Sequence, residues 1–396
     1  MKKLLFTSAL TLSIALTFAQ WTPRTIVGTN DPTAWFVDAH PISQSTWLVA
    51  GLNHEIARTT NFGLSWTLID TGFMNAPGFE DIDFVDANTG YIVGSTIAKT
   101  IDGGLSFTYL DTNLLTYFRA VKCVSANEIW VVGEGTHNIL KSVDGGQTWI
   151  PKLSVGHPLF QIGFFTATDA IVVGQSGRIK TSSDGGQSWT PVTTTFTDYI
   201  FDVEVVNSTT CFIPYGPKIY KSTDKGQSWS PCNIYSSVTY PSFSKIDFAT
   251  ANIGYALAGS KIFKTIDGGI TWYYQANLGY ASNNISFWDE LNGMVSGNLS
   301  RVYTTGNGGG AIATGVDELP VENTSVYPNP ATNQLSINLG GMQAEQVNIY
   351  NIDGKLVSLT MQPQNNSVDI SELAKGVYIA EIKLGDAAQR VRWVKM

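Results

Sequence analysis

One nine-residue pattern returns through most of the chain and limits the fold more than any other feature. Lys141-Ser-Val-Asp144-Gly-Gly-Gln-Thr-Trp149 recurs as Thr181-Ser-Ser-Asp184-Gly-Gly-Gln-Ser-Trp189 and as Lys264-Thr-Ile-Asp267-Gly-Gly-Ile-Thr-Trp272. Lys221-Ser-Thr-Asp224-Lys-Gly-Gln-Ser-Trp229 and Lys99-Thr-Ile-Asp102-Gly-Gly-Leu-Ser-Phe107 are close copies. Thr60-Asn61-Phe-Gly-Leu-Ser-Trp66 and Thr305-Gly-Asn307-Gly-Gly-Gly-Ala311 are degraded ones, with Asn in place of Asp. Successive acidic or amide positions, from Asn61 to Asn307, are 41, 42, 40, 40, 43 and 40 residues apart. A single unit of that length cannot bury its own apolar faces, so a period near 40 with several short strands per repeat indicates a propeller, here of seven blades.

Each period repeats one order, for example Asp81-Ile-Asp-Phe-Val, a turn at Asn88-Thr-Gly90, Tyr91-Ile-Val-Gly94, Ile97-Ala-Lys-Thr100, the box, and Ser106-Phe-Thr-Tyr-Leu110. That predicts four strands, with the box as the tight turn between the third and fourth. Gln20-Trp-Thr-Pro-Arg-Thr25 matches the post-box strand Ser188-Trp-Thr-Pro-Val-Thr193 almost position for position, so the N-terminal strand is expected to complete the last blade. Such closure removes an open edge and locks the ring. Composition agrees: 14% of residues are charged, while Gly (38), Trp (11), Tyr (16) and Phe (19) are abundant, as many tight turns between strands require.

The pattern S/T-x-D-x-G-x-S/T-W resembles BNR or Asp-box repeats. Over about residues 21 to 312 the fuller pattern resembles the seven-bladed propellers of the photosystem II assembly factor family. Sialidases, sortilin-type receptors and xyloglucan-cleaving hydrolases carry the box too, so it speaks for fold and hardly for function. Physically the box reads as a turn device. Asp and Ser side chains share bonds with backbone N–H groups, glycines take positive φ, and the aromatic covers the hairpin. The structural box positions are Asn61, Asp102, Asp144, Asp184, Asp224, Asp267 and Asn307.

Ahead of the propeller, Lys2 and Lys3 precede an uncharged stretch from Leu4 to Phe18 and then Ala19, which predicts a signal peptide over 1–19. The stretch is short of the ~20 apolar residues that span a bilayer, and no later segment reaches that length, so no transmembrane segment is expected. Three cysteines cannot all pair within one chain. Cys211 and Cys232 fall on what reads as the second and fourth strands of one repeat, more than ~9 Å apart, so free thiols are expected. The net charge of −8 and the lack of a basic stripe exclude nucleic acid as an expected partner.

After a linker at 313–324 the composition changes and the box disappears. Tyr327-Pro-Asn-Pro330, alternating Leu335, Ile337 and Leu339, an Asp353-Gly354 turn, Leu373-Ala-Lys-Gly-Val-Tyr-Ile379 and Arg390-Val-Arg-Trp-Val-Lys395 predict about seven short strands and a small immunoglobulin-like sandwich over 325–396. Pro328-Asn-Pro330, Ile349-Tyr-Asn-Ile-Asp-Gly-Lys-Leu-Val357 and the basic terminal strand resemble the type A sorting domain of the type IX secretion system. That resemblance implies recognition by the type IX export machinery, with the cargo secreted or attached at the outer membrane surface. The whole chain is thus expected to be all-β, a propeller over 20–312 followed by the sandwich.

Propellers bind ligands where the loops between fourth and first strands meet around the channel. Those loops carry Phe73, Phe79, Tyr117, Phe118, His157, Phe160, Tyr199, Phe201, Tyr240, Phe243 and Tyr280, and arginines at 119, 178 and 301 are placed to face the same mouth. Tyr117, Arg119, His157, Arg178, Tyr199, Tyr240 and Arg301 are the candidate ligand-binding residues, for an extracellular glycan or protein. Many of the loop aromatics are equally suited to covering the layers between blades. No catalytic residue is assigned. A sialidase comparison lacks the Arg-Ile-Pro motif and a Tyr-Glu pair at recognisable spacing, yet Asp38, Asp83, Asp202, Glu204 and Asp247 on inner strands keep a glycoside hydrolase as the alternative. The histidines at 40, 54, 137 and 157 are scattered over different blades, so neither a metal nor another cofactor is expected.

Overall fold

The computed structural model describes residues 21–28, 35–52, 55–70, 78–110, 116–236, 238–310, 325–339, 343–351, 355–361, 363–384 and 387–396. The expected signal peptide at 1–19 and linker at 313–324, together with His54, Phe73 and the Asp353-Gly354 turn, lie outside these. The chain is all-β and divides into two compact units, Met1–Ile312 and Ala313–Met396.

The described residues of the first unit form seven sheets, and we number these blades 1 to 7 in chain order. Blade 2 is typical, with strands Phe79–Phe84, Gly90–Gly94, Ile97–Thr100 and Thr108–Leu110 in antiparallel succession. The second strand of each blade is an almost unbroken apolar run, such as Trp47-Leu-Val-Ala-Gly51 or Ala170-Ile-Val-Val-Gly174, and every residue in these two is buried. Neighbouring blades cover both faces of such a strand, so nothing in it alternates. Seven apolar clusters fill the interfaces between adjacent blades. One of them joins Phe36, Trp47 and Val49 of blade 1 to Met294 and Val302 of blade 7, which makes the succession a closed ring.

The closure comes from the N-terminus. Thr22–Thr25 pairs antiparallel with Arg301–Gly306, the third strand of blade 7, in the register Thr22 to Thr304 and Thr25 to Arg301. The flanking Trp21 enters the cluster between blades 6 and 7, and Ile26 the one between blades 7 and 1.

The box turns behave as their composition demands. In blade 2, Thr100 Oγ1 donates to Asp102 Oδ1 at 2.7 Å and accepts from Gly104 N at 2.9 Å. The same Oδ1 accepts from Ser106 N at 3.0 Å, and Asp102 Oδ2 accepts from Ser106 Oγ at 2.6 Å. Asn61 keeps the essential acceptor, with Ser65 N donating to its Oδ1 at 2.9 Å, and reverses the other bond by donating from Nδ2 to Ser65 Oγ at 2.8 Å. The second box glycine is fixed by packing as well as by φ. A Cβ on Gly186, where φ is +75°, would lie 2.2 Å from the Trp130 ring of the preceding blade. The basic residue before the box reaches the next blade: Lys99 Nζ donates to Gly145 O at 2.9 Å, and Lys221 Nζ to Gly268 O at 2.7 Å.

Two details depart from expectation. Blade 6 gains a fifth strand, Asn233–Tyr235, which runs parallel to Thr271–Asn277 along its outer edge. Cys232 therefore lies between Ser230–Pro231 of blade 5 and this added strand rather than within a fourth strand, although its N–H still donates to Ile219 O of blade 5 at 2.8 Å. All three thiols are free.

The second unit is a two-sheet sandwich. Ser325–Tyr327, Gln334–Asn338 and Ser367–Asp369 make one sheet, and Leu356–Met361, Gln346–Asn351, Gly376–Leu384 and Ala387–Lys395 the other. Leu335, Ile337 and Val368 from the first meet Val347, Ile349, Ile382 and Trp393 from the second in one core.

Candidate functional site

Antiparallel succession within the blades puts the box turns and the first-to-second connections on one face. The second-to-third and fourth-to-first connections share the other. Between the faces the inner strands enclose a channel cavity of about 420 Å³ whose wall carries Asp38, Asp81, Asp83, Asp202, Glu204 and Asp247, with Lys122, Lys245 and His40 among them. Most of these carboxylates stitch one blade to the next. Asp38 Oδ2 accepts from Ile82 N at 2.8 Å, Asp81 Oδ2 from Val121 N at 2.8 Å and Asp83 Oδ2 from Cys123 N at 2.6 Å. Asp202 Oδ2 accepts from Ile246 N and Asp247 Oδ2 from Phe287 N, each at 2.8 Å. Asn284 of blade 7 donates its Nδ2 to Asp38 Oδ1 of blade 1 and so ties the last blade to the first.

Crowding these acids makes some of them hard to ionise. Burial, reinforced by Asp247, raises Glu204 to about 8, burial raises Asp247 to about 7, and burial with Asp38 close by lifts Asp81 well above the usual carboxyl range. Asp83 holds the Lys122 ammonium above its ordinary value. The box aspartates shift the other way: the Thr148 hydroxyl and amide and the Ser142 hydroxyl bring Asp144 down to about 2.

These opposite shifts fix the pH dependence of stability. A depressed carboxyl contributes stability that is complete above its unfolded pKa of about 4 and is lost as pH falls through the folded value. A raised carboxyl contributes stability that is complete below about 4 and is lost as pH rises towards the folded value. The melting temperature is therefore expected to peak between about pH 4 and 5, to fall in stronger acid, and to fall again towards pH 8. Calorimetry from pH 2 to 9 checks this, with Glu204→Gln flattening the alkaline fall. A melting temperature that climbs steadily from pH 4 to 8 sinks the argument.

The channel opens on the loop face into a second cavity of about 610 Å³, lined by Trp35, Phe160, Tyr199 and Phe201 among apolar groups and by Glu80, Arg119, Ser244, Lys245, Asn283 and Asn284 among polar ones. Phe160, Tyr199 and Phe201 form one cluster, with ring centroids 5.2 to 5.9 Å apart. Tyr199, Phe201 and Trp35 are 45, 55 and 50% exposed, so large aromatic area faces solvent at this mouth. Arg119 is held on both sides, by Glu80 Oε1 at 2.8 Å and by Glu134 Oε1 at 2.7 Å, and it lies over the Tyr117 ring at 4.8 Å.

Of the candidate ligand residues, Arg119 and Tyr199 line this mouth, and Tyr117 adjoins it through Arg119 and a 2.6 Å bond from its hydroxyl to Glu80. His157, Arg178, Tyr240 and Arg301 do not line it. Tyr240 packs on Phe243 and Phe263 in the blade 5–6 interface, Arg301 lies 3.8 Å over the Tyr280 ring, and the His157 carbonyl accepts from Asn138. Phe79, Phe118 and Phe243 are buried between blades. Trp35, Glu80 and Asn284 are mouth residues that the sequence reading passed over, because no periodic feature points to them.

Among the described residues no group of three or more His, Cys, Asp or Glu side chains is arranged to hold a metal ion, and no helix is long and apolar enough to cross a membrane.

Residues 325–396 match the family of secretion system C-terminal sorting domains. The second unit is a secretion-system sorting domain. It marks the protein as exported, to the cell surface or the medium. Residues 58–158, ahead of the sorting domain, match the photosynthesis system II assembly factor YCF48 family. No curated protein sequence matches the chain significantly. Among solved structures, YCF48 bound to D1 peptide is similar at 20% identity and a TM-score of 0.61, over 74% of this chain and 98% of that one. PorZ, a bacterial surface component of the type-IX secretion system of Porphyromonas gingivalis, is similar at 14% identity and 0.53, over 93% of this chain and 60% of that one. The extracellular domain of BT4673 from B. thetaiotaomicron is similar at 12% identity and 0.57, over 95% and 57%. At these identities the likeness is one of fold.

Proposed function

We propose that this protein is an exported, non-catalytic propeller that binds a glycan or protein segment at the aromatic mouth of its channel. It enters the periplasm by the signal peptide at 1–19, and the type IX machinery carries it outward through residues 325–396. The observation that carries the binding reading is the mouth itself. Three exposed aromatic rings border a cavity of about 610 Å³ whose floor holds polar groups, the composition of a recognition site. A related fold, YCF48, is described as bound to a peptide. The non-catalytic half rests on the inner-strand carboxylates. Asp38, Asp83, Asp202 and Asp247 already accept backbone N–H groups of the next blade, and that holds them as ring staples rather than as free acids and bases.

One observation favours the hydrolase alternative. Glu204, raised to about 8, sits near Asp247 in the same channel, and a carboxyl that stays protonated near neutrality is what a general acid requires. A glycan array run beside a fluorogenic glycoside panel separates the two readings. The expected result is binding without turnover. Glycoside turnover that disappears in Glu204→Gln would overturn the non-catalytic reading.

A further inference from the structure

We propose that the mouth is built for a cation, the arginine or lysine side chain of an extended protein segment, lodged against Phe160, Tyr199 and Phe201 above the channel carboxylates. The proposal rests on the reading of the mouth as the ligand-binding face and names what that face takes.

Charge is the first ground. Among the described residues lining the mouth the bases are Arg119 and Lys245. Arg119 is clamped between Glu80 and Glu134, and Lys245 Nζ sits 3.1 Å from Asp202 Oδ1. Neither offers an unshared positive group to an anion. Asp38 and Glu80 line the same cavity, so a carboxylate or sulfate would find carboxylates there and no free positive partner.

The second ground is an unsatisfied acceptor. Asn284 is 6% exposed and lines both the mouth and the channel. Its Nδ2 donates to Asp38 Oδ1, which fixes the orientation of the amide, and its Oδ1 has no hydrogen-bond partner. Ser244 Oγ, on the same wall, is also buried without a partner. A buried carbonyl oxygen left in this way requires a donor, and leaving it unmet costs more than an ordinary hydrogen bond returns. A ligand group that carries N–H or O–H suits this floor.

The third ground is the ring cluster. Phe160, Tyr199 and Phe201 cluster at the rim, with Tyr199 and Phe201 half exposed, and an aromatic face attracts a cation within about 6 Å of its centroid. Arg119 already shows the preference, with its guanidinium 5.9 Å from the Phe160 centroid. A second guanidinium satisfies all three demands together, since it is positive, flat enough to stack, and rich in donors. Lysine supplies the charge and the donors without the flat face.

The test uses the full-length protein and blocked nonapeptides of Gly and Ser with Arg, Lys, citrulline or Glu at the centre, beside a neutral maltohexaose, each titrated by calorimetry. The Arg peptide is expected to bind at least about tenfold tighter than its citrulline and Glu counterparts, with Lys between them. Tyr199→Ala with Phe201→Ala should weaken the Arg peptide by about tenfold without shifting the melting temperature, because both rings are exposed. Tyr235→Ala, on the outer edge of blade 6, should leave binding unchanged. No binding by any cationic peptide overturns the proposal, as does equal binding of the Glu or citrulline peptide. If maltohexaose or the Glu peptide binds and loses affinity in the double variant, the cation assignment fails while the mouth remains the binding face. If every ligand that binds is indifferent to the double variant, the mouth reading fails as well.

Discussion

Removing residues 20–27 is expected to melt the propeller as a whole at a temperature lower by at least about 10 °C, rather than to fray one blade. The segment gives blade 7 its outer strand, four residues in register with Arg301 to Thr304. It also inserts two side chains into different interfaces. Trp21, 7% exposed, packs edge-on against Phe287 at 5.8 Å, and Ile26, 1% exposed, joins the cluster that holds blade 7 to blade 1. Losing a buried Trp costs about 3–5 kcal/mol and a buried Ile about 2–5 kcal/mol. Together these approach the 5–15 kcal/mol that a whole domain commonly has in reserve. Because the ring closes only at this seam, opening it exposes the apolar faces of blades 6, 7 and 1 at once. Calorimetry of the truncated and intact proteins decides the matter. A truncated chain that melts within about 2 °C of the intact one would show that the closing strand is dispensable.

This seam was readable in the sequence because it is a repeat displaced to the other end of the chain: Trp21-Thr-Pro is the same string as Trp189-Thr-Pro. The same is true of the box, whose Asp, Ser and Gly recur because every blade needs one turn with one set of bonds. The mouth is different. Glu80 lies 39 residues before Arg119 and Glu134 lies 15 after it, and only strand register brings the three together. Residue type alone shows Arg119 as a cation at the mouth and not its two carboxylate partners. The inner-strand acids carried a faint signal, since acceptor and backbone donor are one blade apart, at separations of 40 to 44 residues. That spacing equals the repeat itself, so it could not be told from the period. The added strand Asn233–Tyr235 had no repeat to reveal it, and it pairs parallel with a strand almost 40 residues later.

Deleting residues 321–396 is expected to leave a folded propeller that accumulates in the periplasm and does not reach the cell surface or the medium. The structural half of this expectation follows from the cores. Among the described residues the sandwich core runs from Val326 to Trp393, and the seven interblade clusters draw on residues up to Tyr303. The propeller transition should therefore stay within about 2 °C of its position in the full chain. The export half follows from the sorting-domain family of residues 325–396. A point variant tests both halves without a truncation. Trp393 is fully buried and stacks on Tyr378 at 5.3 Å, so Trp393→Ala removes about 3–5 kcal/mol from a unit whose core is small and should unfold the sandwich alone. Fractionation of cells that express the wild type, the deletion and Trp393→Ala, probed with an antibody against the propeller, reads the outcome. Both altered chains should appear only in the periplasmic fraction, with a propeller melting transition like that of the wild type. Surface or medium signal from the deletion at the level of the wild type would mean that the export address lies elsewhere in the chain. A deletion product that no longer melts cooperatively would mean that the propeller depends on the sandwich in a way its separate cores do not predict.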